Sequence, residues 1–395
     1  MGSGSHRISS VNETFDRVEP ISGEFGITRL ANVTGLDRIG IPVALAIRPN
    51  SKSVAVSQGK GETLQHAKTS ALMEAIEIWH AENFDQPVHY GKKHDLQRRH
   101  RVIDTQRLPK LRGRAYSDNV PTLWVMGEEV ISSDPILLPY EMVHCDYTRP
   151  IQPAHGYFPA STNGLASGNS ILEALCHGLA EVVERDALSL WHFSHAEQRA
   201  RKRINPVTIA NEEIIALLKK VTDAGLECGF WNVTSDVEVA TIICLIHEPD
   251  SQMGHIGLGS GTHTDSTVAL RRALTEAAQT RLNYISGARD DLAADEFTLP
   301  GIVQKQDFVE ATLSAGDPTL PFGEVPTNTF PTLREDLDYM VASLRQVGIE
   351  EIGMVNLSRQ EFDIPVVRAI VPGLEAPHDD NSYVAGPRAQ DIMRR

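Results

Sequence analysis

The sequence predicts an α/β fold built from mixed sheets and helices, and two observations lead to this class. Short apolar or alternating runs, typical of strands, recur between longer amphipathic runs, typical of helices. A glycine-rich segment followed by a helix with acidic residues occurs three times, around residues 58–83, 161–187 and 255–285. We expect one domain over residues 7–395, with its core at about 26–375, after an N-terminal MGSGSH that resembles the remnant of an expression tag.

The N-terminal part predicts three short strands and one long helix. Two strands at 26–33 and 41–48 surround a turn, and a third strand follows at 53–57. The glycine-rich segment 58–61 predicts a turn. Apolar residues at helical spacing then predict a helix over residues 62–83.

The rest of the sequence alternates between predicted helices and strands. Residues 84–160 contain several prolines and little periodicity, so they predict loops and edge structure around the core. After residue 168, a helix runs to about residue 187. Further helices are expected at 211–224, 268–285 and 332–346, and strands at 228–233, 239–247, 351–356 and 365–371.

The segment 161–187 predicts a capped helix with an acidic face. Asn169 or Ser170 can cap its free amides. Glu173, Glu181 and Glu184 are spaced eight and three residues apart, so their carboxylates fall on roughly one face. Like charges at such spacing destabilise an isolated helix by about 0.2–0.5 kcal/mol per pair. A positively charged group is therefore expected among them.

The helix at 62–83 repeats this design. Ser70, Glu74 and Glu77 lie on one of its faces. Glu74 follows Gly61 by thirteen residues, Glu181 follows Gly168 by thirteen, and a second glutamate comes three residues later in each case. This echo suggests an internal duplication or two sides of one acidic cleft.

The third helix adds polar and basic groups, because Glu276, Gln279 and Arg281 lie within it. Carboxylates suit hard cations such as Mg²⁺, which commonly arrives with substrate phosphates. Arg281 and Arg185 are candidates for pairing with phosphate oxygens. The residues therefore suggest a magnesium-nucleotide site. The alternative is that each acidic face is simply solvated.

No familiar phosphate-binding loop is present in the sequence. Gly59-Lys60-Gly61 lacks the spacing of a Walker loop, and the glycines at 257–261 do not match G-x-G-x-x-G. Both segments are therefore interpreted as plain turns.

Composition limits the function classes. With 37 basic and 52 acidic residues, the formal charge of −15 argues against a general nucleic-acid or membrane-surface binder. No apolar run approaches a membrane span, and no signal peptide is recognised. The four cysteines form no C-x-x-C pair, which suggests neither a disulfide framework nor a zinc site. A cytoplasmic protein is expected.

Together the three segments resemble the YcaO family. The similar stretches are GKGETLQHAKTSALMEAIE, STNGLASGNSILEALCHGLAEVVERDA, GLGSGTHTDSTVALRRALTEAAQTR and IPVVRAIVPGLE, and the resemblance extends from about residue 26 to 375. It implies an α/β fold that binds ATP and Mg²⁺ without a Walker loop. It also implies site roles. The nucleotide contacts would come from Ser70, Asn169, Arg185, Gln279 and Arg281, and the metal ligands would be Glu74, Glu77, Glu173, Glu181 and Glu184. An arginine that often follows the first E-x-x-E is replaced here by Ile78.

The resemblance implies activation of a peptide backbone amide, whose carbonyl oxygen attacks the γ-phosphate of ATP before a nucleophile displaces phosphate. Azoline-forming members commonly end in a P-x-P-type tail, which residues 384–395 lack. This favours the stand-alone branch that installs thioamides with a TfuA-like partner. The substrate would be a peptide or protein, and the acidic charge would suit a basic one such as a ribosomal protein.

Several alternatives stay open at this point. The runner-up is an azoline-forming cyclodehydratase acting on Cys, Ser or Thr. A non-catalytic adaptor and an unrelated Mg²⁺-dependent carboxylate–amine ligase complete the set. The sequence assigns no general base, and a homodimer remains one option for the oligomeric state.

Overall fold

The computed structural model describes residues 7–150, 154–249, 255–292, 294–378 and 382–394. The helices are α1 (Val11–Val18), α2 (Leu64–Glu82), α3 (Lys93–Leu96), α4 (Ile171–Phe193), α5 (Ala196–Ala200), α6 (Glu212–Asp223), α7 (Ser266–Ser286), α8 (Leu299–Ser314), α9 (Leu333–Gln346) and α10 (Pro387–Arg394). None of these described helices is both long and apolar enough to cross a membrane.

The strands form three sheets. The strands are β1 (Arg29–Asn32), β2 (Val43–Ile47), β3 (Val56–Lys60), β4 (Val88–Lys92), β5 (Arg101–Val102), β6 (Pro121–Glu129), β7 (Pro135–Pro139), β8 (Leu165–Ser167), β9 (Arg203–Asn205), β10 (Glu227–Asn232), β11 (Thr241–His247), β12 (Gly257–Thr262), β13 (Leu320–Pro321), β14 (Gly353–Asn356) and β15 (Val366–Ile370). Their mixture with helices confirms the α/β class.

The first sheet is antiparallel, in the order β1-β2-β3. A five-stranded sheet runs β12-β11-β10-β9-β13, and only its β9–β13 pair is parallel among the pairings described. The seven-stranded sheet runs β5-β7-β6-β14-β15-β8, and β4 also pairs with β6. Each sheet is covered by a long helix: α2 packs on β3, α7 on β12, and α4 on β15 and β8.

The three long helices begin at side-chain caps. The Thr63, Ser170 and Asp265 side chains each accept a hydrogen bond from a backbone amide in the first turn of α2, α4 and α7. Such caps satisfy amides that the helix itself leaves free. The predicted helices at these positions are confirmed, and Ser170 rather than Asn169 is the cap of α4.

The region 84–160 corrects one prediction. It was predicted to form loops and edge structure, but β6 and β7 lie inside the seven-stranded sheet, with Trp124 and Leu137 fully buried. Three of the prolines that suggested irregular structure stand at strand ends: Pro121 begins β6, and Pro135 and Pro139 bound β7. At a strand end, a missing amide donor costs little.

Besides the short helices α3 and α5, the structure contains three longer helices that were not predicted. Helix α1 lies in the polar N-terminal lead, where Ser10 and Glu13 form a reciprocal capping box. Helix α8 follows the third long helix, and α10 lies near the C-terminus. The capping box was a usable sequence signal for α1.

Candidate functional site

Two strand–helix pairs contain the same type of hydrogen bond, from a backbone amide of the strand to a glutamate of the helix that follows it. The amide of Gln58 in β3 donates to Glu74 Oε2 of α2 at 3.2 Å, across 16 residues of sequence. The amide of Ser260 in β12 donates to Glu276 Oε1 of α7 at 3.2 Å, again across 16 residues. We call each such contact a carboxylate clamp. Each clamp fixes a glutamate against the strand that precedes its helix.

Glycines let these strands lie directly against the helix backbone. A Cβ on Gly59 would come within 2.0 Å of Ala67 O, and one on Gly259 within 2.2 Å of Ala277 N. Both glycines lie inside strands, so the predicted turns at 58–61 and 257–261 are wrong. The third strand, predicted at 53–57, is shifted toward the C-terminus and spans Val56–Lys60. Here glycine provides close approach rather than chain reversal.

Further carboxylates join neighbouring layers. Glu77 Oε2 accepts from the amide and hydroxyl of Ser167 in β8, at 2.8 and 3.0 Å. Glu184 Oε1 of α4 accepts from the Ser260 hydroxyl at 2.8 Å. Glutamates from helices α2, α4 and α7 therefore lie close together, each hydrogen-bonded to a neighbouring strand or to a group shared with another glutamate. We call Glu74, Glu77, Glu181, Glu184 and Glu276 the acidic cluster.

Most of the acidic cluster resists ionisation. Burial, opposed in part by Lys60, raises the pKa of Glu74 to about 7. Burial also raises the pKa of Glu181 to about 7, against the favourable charge of Arg185. Burial and the charges of Glu181 and Glu74 raise the pKa of Glu77 well above its ordinary value. The chain therefore does not fully compensate the negative charge that these carboxyls would carry if they were all ionised, and an added cation would favour their ionised form.

Basic side chains pair with carboxylates of the cluster. Lys60 pairs with Glu276, and Arg185 lies 3.9 Å from both Glu181 and Glu184. Burial opposes ionisation of Glu276, but Lys60 and Arg185 outweigh it, so the pKa of this carboxyl lies below its ordinary value. For Glu184, burial dominates and its pKa is raised. Arg185, which lies in α4 itself, is therefore a positive group of the kind expected among the glutamates of this helix, and Lys60 of β3 is a second one.

Glu173 lies apart from the cluster. It precedes Glu181 by eight residues, about 12 Å along the helix. Its carboxylate accepts from Asn169 Nδ2 at 3.0 Å and from the amide of Ile8 at 3.1 Å. Asn169 Oδ1 in turn accepts from Thr14 and Arg17. These two predicted residues therefore anchor the N-terminal segment, and their nucleotide and metal roles stay predictions.

The predicted residues Ser70 and Gln279 lie on helices α2 and α7. Ser70 is half-buried. Gln279 Nε2 donates to Gln58 Oε1 at 3.2 Å, which joins α7 to β3. Gln279 Oε1 and Gln58 Nε2 are buried and have no partner within the described residues. Such atoms are uncommon in folded proteins and are suited to a polar ligand.

Arg281 occupies a different neighbourhood from the other predicted residues. It pairs with Asp37 at 3.0 Å and with Glu248 at 3.7 Å, and its side chain is 4% exposed. Arg272, which was not predicted, is coupled electrostatically to Glu184 and Glu276. Its Nη1 donates to Thr262 O at 3.0 Å. The structure thus brings Arg272, and not Arg281, to the acidic cluster, and a phosphate contact of Arg281 stays a prediction.

The N-terminal segment contributes a further residue that was not predicted. The guanidinium of Arg7 is coupled to Glu173, and burial lowers its pKa. Its charge also acts on His66 of α2 and His177 of α4. Burial and the neighbouring arginines lower the pKa of His177 to about 3, so this imidazole is neutral at physiological pH.

The chemistry of the cluster fits a shared magnesium site. In the ranges that the structure describes, no three His, Cys, Asp or Glu side chains are placed to hold a metal ion by themselves. Mg²⁺ is usually bound through one or two carboxylates, with phosphate oxygens and water completing its shell. The cluster offers hard oxygen donors whose ionised form an added cation would favour, and unpartnered amide groups of Gln58 and Gln279 lie nearby. The residues present therefore fit Mg²⁺ together with a phosphate-bearing ligand.

A pH dependence follows from the raised pKa values. Glu74 and Glu181 have pKa values of about 7 in the folded chain and an ordinary value of 4.5. Between these values the unfolded chain binds fewer protons, so stability falls as the pH rises. Because Mg²⁺ with a non-hydrolysable ATP analogue compensates the ionised form, we expect their increase in Tm to be larger at about pH 8 than at about pH 6. A thermal shift assay measures this increase.

The control for this pH dependence is Glu74→Gln, which removes one titrating group. This variant should show a smaller difference between the two pH values. An increase in Tm that is equal at both pH values in the unmodified chain would contradict the expectation.

Comparison with known proteins identifies the family of the chain. The family model described as YcaO cyclodehydratase, ATP- and Mg²⁺-binding, matches residues 58–375. A protein of the tfuA 3′ region of Rhizobium leguminosarum bv. trifolii is 32% identical over 397 residues, covering 97% of this chain and 91% of the relative.

Several solved structures share the fold, and two of them illustrate the similarity. YcaO from Methanopyrus kandleri, bound with AMPPCP and Mg²⁺, has a TM-score of 0.76 at 22% identity, covering 96% of this chain and 95% of that one. A heterocyclase in complex with substrate and cofactor has a TM-score of 0.78 at 20% identity over 94% of this chain, which spans 53% of that heterocyclase. With the family model matching most of its length and a relative of 32% identity covered almost completely, the chain belongs to the YcaO family, which binds ATP and Mg²⁺.

Proposed function

We propose that the chain uses ATP and Mg²⁺ to activate a backbone amide of a peptide or protein by O-phosphorylation, and that sulfur then replaces the amide oxygen. In the overall reaction, ATP, the amide and sulfide give ADP, inorganic phosphate and a thioamide. The acidic cluster is the observation that carries the ATP-dependent part of this proposal. It gathers hard oxygen donors from three helices beside Lys60 and Arg185.

The residues take distinct roles in this proposal. Glu74, Glu77, Glu181 and Glu184 would hold Mg²⁺, with Glu173 as a further candidate ligand. Mg²⁺ supplies neutralisation of charge on a transferring phosphoryl group. Arg185 and Asn169 would orient the nucleotide, as would Ser70, Gln279 and Arg281. Of these, Arg281 has the least support, because Asp37 and Glu248 already engage its guanidinium.

The sulfur-inserting branch is favoured by a relative of this chain. That relative, at 32% identity, is named for the tfuA 3′ region, which supports a TfuA-like partner for this chain. The formal charge of −15 suits a basic polypeptide substrate.

Mass spectrometry tests the proposed product. The chain, a TfuA-like protein, ATP, Mg²⁺, sulfide and a candidate peptide are incubated together. We expect the peptide mass to rise by the difference between sulfur and oxygen, with one ADP released per modification. Omission of sulfide should abolish this mass change.

The alternatives predict different outcomes in the same experiment. A loss of water from the peptide would indicate azoline formation, which the likeness to a heterocyclase supports as the second candidate. Failure of the unmodified chain to bind ATP in calorimetry would indicate a non-catalytic adaptor. ATP turnover with free amino acids would indicate a carboxylate–amine ligase.

A further inference from the structure

A buried arginine outside the acidic cluster has an unused donor. Arg368 in β15 is 1% exposed. Its Nε donates to Met142 O at 2.7 Å, and its Nη2 donates to Ser161 O. Nη1 has no hydrogen-bond partner within the described residues. A buried guanidinium nitrogen without a hydrogen-bond partner suggests that a ligand, rather than the chain itself, provides the acceptor.

A second unused polar atom lies close to Arg368. In the seven-stranded sheet, Arg368 is directly opposite Leu165 of β8, and Asn163 comes two residues before Leu165. Asn163 Oδ1 is buried and also has no partner within the described ranges. Arg368 and Asn163 line the same small cavity. The cavity therefore offers one hydrogen-bond donor and one acceptor.

The other walls of this cavity are mainly apolar and rich in proline. Its lining includes Pro109, Pro159, Pro377, Val182, Leu374 and Glu375. The carboxylate of Glu375 is already engaged by Tyr383, Gly386 and Ala389. An anion would meet this carboxylate and the Asn163 oxygen. A neutral group with both a carbonyl and an N–H matches the donor and the acceptor better.

Helix α4 connects the cavity with the acidic cluster. Val182 of α4 lines the cavity, and Glu181 of the cluster precedes it in the same helix. The charge of Arg368 acts on Glu181, where it favours the ionised carboxylate. A ligand held by Arg368 and Asn163 would therefore lie within electrostatic range of the proposed phosphoryl-transfer site.

We propose that this cavity is the subsite for a backbone amide of the polypeptide substrate, whose carbonyl accepts from Arg368 Nη1 and whose N–H donates to Asn163 Oδ1. This proposal rests on the proposed function, because it places a peptide next to the ATP site. It assigns to Asn163 and Arg368 a role in binding the peptide and not the nucleotide.

The test measures binding of a minimal peptide amide without turnover. N-acetylglycine N-methylamide is titrated by saturation-transfer NMR into the chain, Asn163→Leu and Asn119→Leu, with ATP absent. We expect Asn163→Leu to bind at least about tenfold more weakly, because a buried partner is lost. The exposed Asn119 serves as the matched control and should leave binding unchanged.

Three results would overturn the proposal. These are equal binding by Asn163→Leu, no binding by the unmodified chain, and displacement of the probe by inorganic phosphate, which would indicate an anion site. If Asn163→Leu fails to fold, Arg368→Lys replaces it, since lysine keeps the charge but removes Nη1.

Calorimetry with ATP is run separately on each variant. Retained ATP binding with equal amide binding refutes only the subsite, whereas amide binding without ATP binding refutes only the proposed function.

Discussion

Replacing Glu181 by glutamine is expected to lower kcat for peptide-dependent ATP turnover by about 10²–10³-fold, the range seen when one preorganised electrostatic contact is removed. Glutamine keeps the length and an accepting oxygen of the side chain but removes the charge. Because burial already raises the pKa of Glu181 to about 7, the uncharged variant should fold at least as stably as the unmodified chain. Phosphate release at saturating peptide measures the effect.

The matched control is Glu197→Gln, because Glu197 is an exposed glutamate in the short helix α5. It should retain full turnover. Equal kcat values for Glu181→Gln and the unmodified chain would remove Glu181 from the proposed metal ligands. A Tm of Glu181→Gln well below that of the unmodified chain would instead indicate a structural role for its charge.

Gly259→Ala is expected to reduce the free energy of unfolding by about 1–3 kcal/mol, the usual range for overpacking a tight contact. A Cβ at this position would lie 2.2 Å from Ala277 N and 2.4 Å from Ala273 O. Both atoms belong to the backbone of α7, so neither can move by a change of rotamer. Denaturant unfolding followed by circular dichroism measures the loss.

The control for this substitution is Gly35→Ala. No atom lies within 4 Å of a Cβ built on Gly35, and the φ angle of Gly35 is not positive, so alanine fits its backbone conformation. This variant should unfold at nearly the same denaturant concentration as the unmodified chain. If Gly259→Ala behaves like Gly35→Ala, then strand β12 does not need glycine in order to contact α7.

The helical half of the site could be predicted from the sequence. Periodicity and capping residues located both ends of α2 and α7 and the start of α4 closely, whereas α4 continues six residues beyond its predicted end at about 187. The carboxylates of Glu74, Glu77, Glu181 and Glu184 lie close enough to interact. The part of the site that the strands provide could not be predicted from the sequence. Lys60 and Ser260 lie among glycines, and glycine is more often a turn residue than a residue of a buried strand. Only the contact with a helix backbone, which is a tertiary property, explains these glycines.

The choice between Arg272 and Arg281 was within reach of the sequence. The two residues are nine positions apart, which places them on opposite sides of a helix. Glu276 follows Arg272 by four positions and so shares its face. Helical geometry alone therefore assigns Arg272 to the acidic side. Both the residue pattern and the resemblance name Arg281, whose phosphate contact stays a prediction.

The two carboxylate clamps have a consequence for the start of each helix. Each clamp spans 16 residues, from Gln58 to Glu74 and from Ser260 to Glu276. One residue inserted within the helix, between its first turn and the glutamate, would rotate the glutamate by about 100° around the helix axis relative to that turn, away from its amide. The short connection before the helix can absorb an insertion, as surface loops usually do. Relatives whose helices differ in length before the glutamate would therefore have lost the clamp, which offers a simple way to find family members that keep the fold without the carboxylate arrangement.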